Sequence, residues 1–116
     1  RLMSRAWPAP LVVEVPAAPD TPAARGGFVR LRFPEHPLFD ALVPAARDLG
    51  PVLVSDLGAA TAEEAAARLG RAAGLVVNAG PRDAAARPTV VRATDAGYEV
   101  TEPGAVPKDE VDRLAA

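Results

Sequence analysis

The architecture depends on a β-branched and almost uncharged stretch, Leu11-Val-Val-Glu-Val15. Such a run predicts a strand, because branched apolar side chains fit a pleated and mostly buried surface. A second strand is predicted at Phe28-Val-Arg-Leu-Arg-Phe33, where apolar residues alternate with arginines. Since successive side chains of a strand point to opposite faces, Val29, Leu31 and Phe33 should share one face. The arginine-bearing face should be partly exposed to solvent.

Helices are predicted before and after these two strands along the chain. They are indicated by the spacing of apolar residues, together with prolines where a helix can begin and glycines where it can end. They cover residues 2–7, 37–49, 61–69 and a short segment after Pro107. Pro44 lies inside the second helix and should kink it, because proline removes one backbone hydrogen bond. Thr61-Ala-Glu-Glu64 is a capping box, in which a hydroxyl and a carboxylate bind amides of the first turn.

Further strands are predicted at two short apolar runs, Val52-Leu-Val54 and Leu75-Val-Val77, both expected to be buried. Thr89–Ala93 and Gly97–Val100 are predicted to form a hairpin, and a polar loop should cover residues 82–87. The order of elements predicts an α/β fold, a twisted mixed sheet with flanking helices. We expect one domain spanning residues 1–116.

Composition excludes several classes of site. The 116 residues contain no cysteine and one histidine, which excludes disulfide scaffolds, thiolate metal sites and His-rich zinc sites. The net charge of −2 argues against a strongly basic nucleic-acid-binding protein, although a local basic face is compatible with it. No apolar run approaches a membrane span, so we expect a soluble, cytoplasmic protein. Because the sequence opens with Arg1, we expect a fragment or a processed product.

Most residues that could take part in catalysis or binding are predicted to have structural roles instead. His36 lies just before a helix and is predicted to cap it or pack, because neither Ser4 nor Ser55 lies in a nucleophile elbow that would complete a triad. Glu63 and Glu64 are predicted to be the charged first turn of a helix. Trp7 should anchor the core. Gly26-Gly27 and Ala79-Gly80 fit turns better than a phosphate-binding fingerprint. Five arginines either gather on one face against phosphate or carboxylate, or are ordinary surface charge: Arg30, Arg32, Arg82, Arg87 and Arg92.

Six stretches, taken in order along the chain, resemble segments of one protein family. They are Ala6-Trp-Pro-Ala-Pro-Leu-Val-Val13, Arg32-Phe-Pro-Glu-His-Pro37, Val52-Leu-Val-Ser55 with Thr61-Ala-Glu-Glu64, Leu75-Val-Val-Asn-Ala-Gly80, Pro88-Thr-Val-Val91 and Glu102-Pro-Gly-Ala-Val-Pro107. Together they resemble the later part of the YrdC-like domain of the threonylcarbamoyl-adenylate synthase family. The resemblance covers essentially the whole chain.

The resemblance implies a YrdC/RibB-like twisted sheet with an open cavity, here lacking the family's N-terminal strands. It implies a reaction of threonine, bicarbonate and ATP, with Mg²⁺, that gives threonylcarbamoyl-adenylate and pyrophosphate for the modification of tRNA. It also implies binding of double-stranded RNA on a basic concave face. By the same resemblance, the nucleotide-binding residues would be Arg32, Ser55 and Thr89.

Several family positions are changed in this chain. Leu57 replaces the asparagine of Ser-x-Asn, and Pro88 replaces the serine of Ser-Thr-Val-Val. Glu102, or Thr101 if the register slips by one, replaces the arginine before Gly-Ala-Ile, and no Lys-x-Arg motif precedes Arg1. A carboxylate near the phosphates of a nucleotide repels them, and leucine can neither donate nor accept. We therefore expect a large loss of nucleotide affinity.

These observations leave three alternative functions, each from a different class. The favoured one is a degenerate YrdC-like domain, non-catalytic alone, that acts as a nucleotide- or RNA-binding or regulatory module. The second is the C-terminal part of an active synthase, and the third is a generic protein-interaction domain. If the N-terminal strands are truly missing, a dimer or a partner chain should cover an exposed strand edge.

Overall fold

The computed structural model describes residues 1–82 and 87–116. The chain divides into two compact units: residues 1–53 with 87–116, here called the sheet unit, and residues 54–86, here called the helical unit. In chain order the elements are α1 (Leu2–Ala6), β1 (Leu11–Pro16), β2 (Phe28–Arg32), α2 (Pro37–Ala46) followed by a 3-10 turn (Arg47–Leu49), α3 (Ala62–Leu69) followed by a 3-10 turn (Gly70–Ala72), β3 (Thr89–Thr94), β4 (Gly97–Glu102) and α4 (Lys108–Ala115).

The four strands form one mixed sheet in the order β2-β1-β3-β4. Strand β1 is antiparallel to β2 and parallel to β3, while β3 and β4 form the predicted antiparallel hairpin. A bulge between Val90 and Val91 shifts the register of this hairpin. The predicted α/β class, with a mixed sheet and flanking helices, is confirmed.

The core lies on one face of the sheet, beneath α1 and α4. Leu11, Val13 and Val91 are buried there against Val111 of α4. Trp7 packs against this cluster, and its indole N–H donates to the carbonyl of Leu11 at 2.9 Å. The predicted anchoring role of Trp7 is therefore confirmed. The opposite face of the sheet carries most of the charged side chains of the strands, together with Val12, Phe28 and Val90.

Hydrogen bonds and a close backbone contact hold the segment between β4 and α4 against the start of β3. The Thr89 hydroxyl donates to the carbonyl of Val106 at 2.7 Å and accepts from its N–H at 3.0 Å. At Gly104, a Cβ atom would lie 2.5 Å from the carbonyl carbon of Pro88, a distance that side chains do not tolerate. This position therefore requires glycine for space.

The helix ends follow the sequence predictions. Thr61 Oγ1 accepts from the N–H of Glu64 at 3.2 Å, which confirms Thr61 as the cap of α3. The Glu64 carboxylate accepts at 3.1 Å from the N–H of Ala60, one residue before the cap, and not from an amide of the first turn. His36 caps α2, because its Nδ1 accepts from the N–H of Leu38 at 3.1 Å. The predicted helix to residue 49 ends as a 3-10 turn, with Pro44 inside its α-helical part.

Two predicted strands are absent from the described residues. Val52–Val54 and Leu75–Val77 form neither helix nor strand, and their side chains are exposed rather than buried. The prediction of two buried strands was therefore wrong for this chain, because burial requires a neighbouring strand and local composition cannot supply one. Of the predicted polar loop at 82–87, residues 83–86 lie outside the described residues. Within 1–82 and 87–116, no helix combines the length and hydrophobicity that a membrane span requires.

Candidate functional site

The sheet face opposite α1 and α4 carries most of the charged side chains of the strands, and we call it the charged face. By strand register and alternation it comprises Val12, Glu14, Phe28, Arg30, Arg32, Val90, Arg92, Glu99 and Glu102. Three arginines and three glutamates share this face, so that its formal charges cancel.

Glu14 lies at the centre of the charged face, with its side chain only 6% exposed. Its Oε1 accepts from Arg30 Nε at 2.8 Å, and its Oε2 accepts from Arg92 Nε at 2.8 Å. This geometry follows from the register, in which Glu14 on the central strand β1 is opposite Arg30 of β2 and Arg92 of β3. A buried carboxylate is stabilised only when charge partners and hydrogen bonds replace its water, as they do here.

The ion-pair network extends from Glu14 to both sheet edges. Arg30 Nη2 donates to Glu102 Oε1 of β4 at 2.6 Å. The Arg92 guanidinium lies 4.3 Å from the centroid of the Phe28 ring, within the range of a cation–π contact. Acid and base therefore alternate along one chain of contacts, and both Arg30 and Arg92 have partners within the sheet.

The network sets the protonation of its own members. Burial raises the pKa of the Glu14 carboxyl, but the hydrogen bonds and charges of Arg92 and Arg30 outweigh it and hold this pKa below its ordinary value. The hydrogen bond to Glu102, together with that to Glu14, raises the pKa of Arg30 against the opposing effect of burial. The Glu14 carboxylate and the Arg30 guanidinium are consequently both charged at neutral pH.

Arg32 and Thr89, two of the three predicted nucleotide-binding residues, lie on opposite faces of the sheet. Arg32 lies on the charged face of β2, and its Nε is buried without a hydrogen-bond partner among residues 1–82 and 87–116. Thr89 is fully buried on the opposite, helix-covered face, where its hydroxyl is bonded to Val106. Ser55 is exposed in the helical unit. The nucleotide-binding role of all three stays a prediction, and for Thr89 it would require those bonds to break.

The changed family positions have local roles. Glu102 pairs with Arg30 on the charged face, and Pro88 is half-buried directly before β3. In the helical unit, the backbone carbonyl of Leu57 accepts a hydrogen bond from the guanidinium of Arg68. Glu102 thus joins the ion-pair network of the charged face.

The predicted gathering of arginines occurs in part. Arg30, Arg32 and Arg92 share the charged face, where the first two are neighbours along β2. Arg87 is exposed just before β3, and Arg82 belongs to the helical unit. Within the described residues, no group of three or more metal-ligating side chains could hold a metal ion.

Glu14, the central carboxylate of the charged face, is not among the residues that the sequence predicts at the site. The signal was present, since it is the one charged residue in an otherwise apolar strand. An acid in such a position is buried only when it is paired. Its two partners, however, lie 16 and 78 residues away along the chain, so that the sequence alone did not identify them.

Comparison with known proteins bears on this arrangement. The sequence is 32% identical to "Putative threonylcarbamoyl-AMP synthase" from two strains of Mycobacterium tuberculosis, CDC 1551 / Oshkosh and ATCC 25618 / H37Rv. The alignment is 114 residues long and covers 90% of this chain. This match supports a YrdC-like relationship of the chain. The resemblance to the YrdC-like family is thereby confirmed, and this chain spans 51% of the length of each of these synthase relatives. No family model and no solved structure matches the chain.

Proposed function

We propose that residues 1–116 are the later part of a YrdC-like domain that has lost the synthase reaction and acts as a binding or regulatory module. One observation carries the proposal: Glu14 and Glu102 hold Arg30, and Glu14 also holds Arg92, so that these guanidiniums are neutralised within the sheet. A polyphosphate needs uncompensated cations, and here each cation of the network already has a carboxylate at 2.6–2.8 Å.

A triphosphate at this face would also meet unfavourable charge. To reach Arg30 it would displace Glu102, a carboxylate that then repels the incoming phosphates. Separating the buried Glu14 from Arg30 or Arg92 would cost free energy, because a buried carboxylate that loses its partner keeps an uncompensated charge. The expected result is weak nucleotide binding and no formation of threonylcarbamoyl-adenylate by this chain.

The binding that remains would rest on Arg32. Its buried Nε has no hydrogen-bond partner among the described residues, and its guanidinium suits a phosphate oxygen. We propose that this single guanidinium holds one phosphate group of a nucleotide weakly, so that ATP stabilises the unmodified chain only a little. Binding of tRNA or double-stranded RNA is an alternative outcome of the same titration, and the cytoplasm is the proposed place of action.

A second candidate is favoured by the comparison with the synthases. The matched relatives carry the synthase name and are about twice as long as this chain, which spans 51% of them. On this alternative the chain is the later part of an active synthase whose remaining half supplies the phosphate-binding cations. This alternative requires Leu57, Pro88 and Glu102 to be compatible with catalysis.

Pyrophosphate release separates the two candidates. The chain is assayed with ATP, threonine, bicarbonate and Mg²⁺, alone and mixed with the part of the M. tuberculosis relative that lies outside the matched region. We expect no release above background in either arm. Turnover in the mixture would overturn the proposal in favour of the active synthase.

Restoring the family residues provides the complementary test. The triple change Leu57→Asn, Pro88→Ser and Glu102→Arg should let ATP raise the melting temperature, since a ligand that binds the native state stabilises it. The unmodified chain should respond little to ATP, and the matched control is Glu99→Arg, which makes the same charge change on the same strand and face. An equal response of both variants would show a nonspecific effect of charge and contradict the proposal. In the same titration, a shift with tRNA but not with ATP would identify RNA as the ligand.

A further inference from the structure

The two edge strands of the sheet carry opposite charges on the same face. On β2, Arg30 and Arg32 lie on the charged face, and on β4 the charged residues of that face are Glu99 and Glu102. The inner strands β1 and β3 carry one charge of each sign, and these two side chains form an ion pair with each other. The charged face is therefore neutral as a whole but polarised across the sheet, from basic at β2 to acidic at β4.

One charge at each edge takes no part in the ion pairs of the described residues. Arg32 forms no salt bridge there, and its Nε is buried without a hydrogen-bond partner. Glu99 is exposed and forms no salt bridge there either. Arg30 and Glu102, by contrast, bind each other at 2.6 Å. Each edge consequently retains one charge that a second molecule can neutralise.

Both edges also have an unpaired outer side. Strands β2 and β4 lie at the two ends of the order β2-β1-β3-β4, so each pairs with one neighbouring strand only. On its outer side β2 has one bridge, between Phe28 and Arg25. Among residues 1–82 and 87–116, no further backbone hydrogen bond reaches residues 29–32 or 97–102 from outside the sheet. The unpaired N–H and C=O groups of an edge strand are a template on which another strand can pair.

The apolar side of the two edges is compatible with such pairing. Leu31 of β2 points to the same face as the core residue Val13, and yet it is 37% exposed. Tyr98 and Val100 of β4 pack against the core and are half-buried. Joining β2 of one molecule to β4 of another places these apolar side chains side by side on one face and opposite charges side by side on the other.

Charge selects one of the three possible edge pairings. Two β2 edges would place arginines beside arginines, and two β4 edges would place glutamates beside glutamates. Like charges on adjacent strands destabilise a sheet, whereas opposite charges stabilise it. Pairing of β2 with β4 neutralises both edges and keeps the charged face on one side. This pairing is parallel, because β2 and β4 run in the same direction within the sheet.

We propose that the chain associates head to tail with further copies of itself, the outer side of β2 in one molecule pairing with the outer side of β4 in the next. Arg32 of one copy then contacts Glu99 of the next, which gives both free charges a partner. Because the two edges are different surfaces, the contact adds copies one after another instead of closing a twofold dimer. The inference does not rest on the proposed function, since it involves no nucleotide.

Sedimentation velocity of the full chain tests the association. Between about 10 μM and about 1 mM, a range in which weak contacts form, the weight-average mass should rise beyond that of two 12.0 kDa chains. Raising the ionic strength from about 0.15 M to about 1 M should weaken the association, since salt screens exposed charges. A mass that stays at one chain, or that stops at two, would overturn the proposal.

A pair of charge reversals assigns the surfaces. Arg32→Glu reverses the free charge of the β2 edge, and Glu99→Arg reverses that of the β4 edge. Each variant alone should associate at least about tenfold more weakly, because like charges then meet. Mixed in equal amounts, the two variants should associate again, since each free charge meets one of the opposite sign. The double variant in a single chain should recover in the same way.

Two further reversals serve as controls. Arg71→Glu and Asp20→Arg make the same charge changes at exposed residues outside the strands, and they should leave the association unchanged. Equal weakening by the controls, or association that persists in both edge variants, would assign the contact to another surface and overturn the proposal. Failure of the mixture to associate, with both variants folded by circular dichroism, would overturn it as well.

Hydrogen exchange supplies a measurement that nonspecific attraction would not change. Association should slow amide exchange within residues 29–32 and 97–102 by at least about tenfold, since strand pairing protects backbone amides. Exchange in β1 and β3, which already pair on both sides, should change little. Protection at residues 52–54 or 75–77 instead would show that copies meet through the exposed apolar runs, and the edge pairing would be wrong.

Discussion

The strand β1 and the run Leu75–Val77 have similar compositions, but β1 is buried and paired whereas the run is exposed. Leu11 and Val13 of β1 are buried between two neighbouring strands and the helices α1 and α4. Leu75 and Val77 are 82% and 59% exposed, and no strand pairs with them in the described part of the chain. The difference teaches that a β-branched run becomes a buried strand only where another segment pairs its backbone and covers its side chains.

The largest effect is expected from truncating the two leucines of this comparison. Leu11→Ala should lower the free energy of unfolding by about 2–5 kcal/mol, because it leaves a cavity in the packed core. Leu75→Ala should change it by no more than about 0.5 kcal/mol, as for other surface positions. Urea unfolding of both variants measures the difference. Equal destabilisation would mean that the run 75–77 is packed like β1.

Two glycines extend the comparison to the backbone. Gly104→Ala should lower the free energy of unfolding by about 2 kcal/mol, because its Cβ would meet the backbone of Pro88 at 2.5 Å. The matched change Gly74→Ala, in the helical unit, meets nothing within 4 Å and should be close to neutral. Thermal unfolding of the two variants side by side checks this. A neutral Gly104→Ala would show that the segment before α4 is not held against β3.

The charged face can be tested through Glu14. Glu14→Gln should lower the free energy of unfolding at pH 7 by about 1.5 kcal/mol, because it removes charge-assisted hydrogen bonds to two arginines. Glu99→Gln, an exposed change on the same face, should be close to neutral. Chemical denaturation at pH 7 compares the two. A neutral Glu14→Gln would mean that the network does not hold the strands together.

The pH dependence of the same variant has a definite sign. The pKa of Glu14 is lower in the folded chain than its ordinary value of 4.5. Its contribution is therefore fully present above pH 4.5 and is lost as the pH falls through the lower folded pKa. Glu14→Gln should remove this part of the acid destabilisation, measured as a flatter dependence of unfolding free energy on pH below 4.5. Parallel curves for the two proteins would contradict it.

The smallest effect is expected at the cap of α3. Thr61→Ala should cost about 1 kcal/mol, because the N–H of Glu64 loses its acceptor. Thr61→Ser keeps the hydroxyl and should stay within a few tenths of a kcal/mol. Far-UV circular dichroism during thermal unfolding monitors both. An equal loss of helix in the two variants would show that the methyl group, and not the cap, stabilises α3.

Local chemistry made much of the fold predictable. The cap of α3 by Thr61 and the cap of α2 by His36 depend on neighbours within three residues, and both are confirmed. Strands β1 and β2 and the hairpin of β3 and β4 follow from alternation and turn residues. The valine-rich runs at 52–54 and 75–77 carried the same signal, but their burial depends on segments elsewhere, which no local pattern contains.

The candidate site was less predictable for the same reason. From the sequence we predict arginines on the binding face and a Glu102 carboxylate that repels phosphate. The contact of Glu102 with Arg30 joins residues 72 positions apart, and that of Glu14 with Arg92 joins residues 78 apart. These pairings follow from the strand order β2-β1-β3-β4, which composition and spacing do not determine.

The parallel pairing of β1 with β3 has a consequence for biosynthesis. Glu14 and Arg92 are 78 residues apart, so the ribosome must produce most of the chain before β1 acquires its second neighbour. Until then Leu11 and Val13 lack Val91 and Val111, and the nascent chain exposes the apolar face that later becomes the core. Contacts of this sequence separation close slowly. Chaperone dependence should therefore be greatest while residues 17–88 are being translated, and it should fall once α4 has emerged.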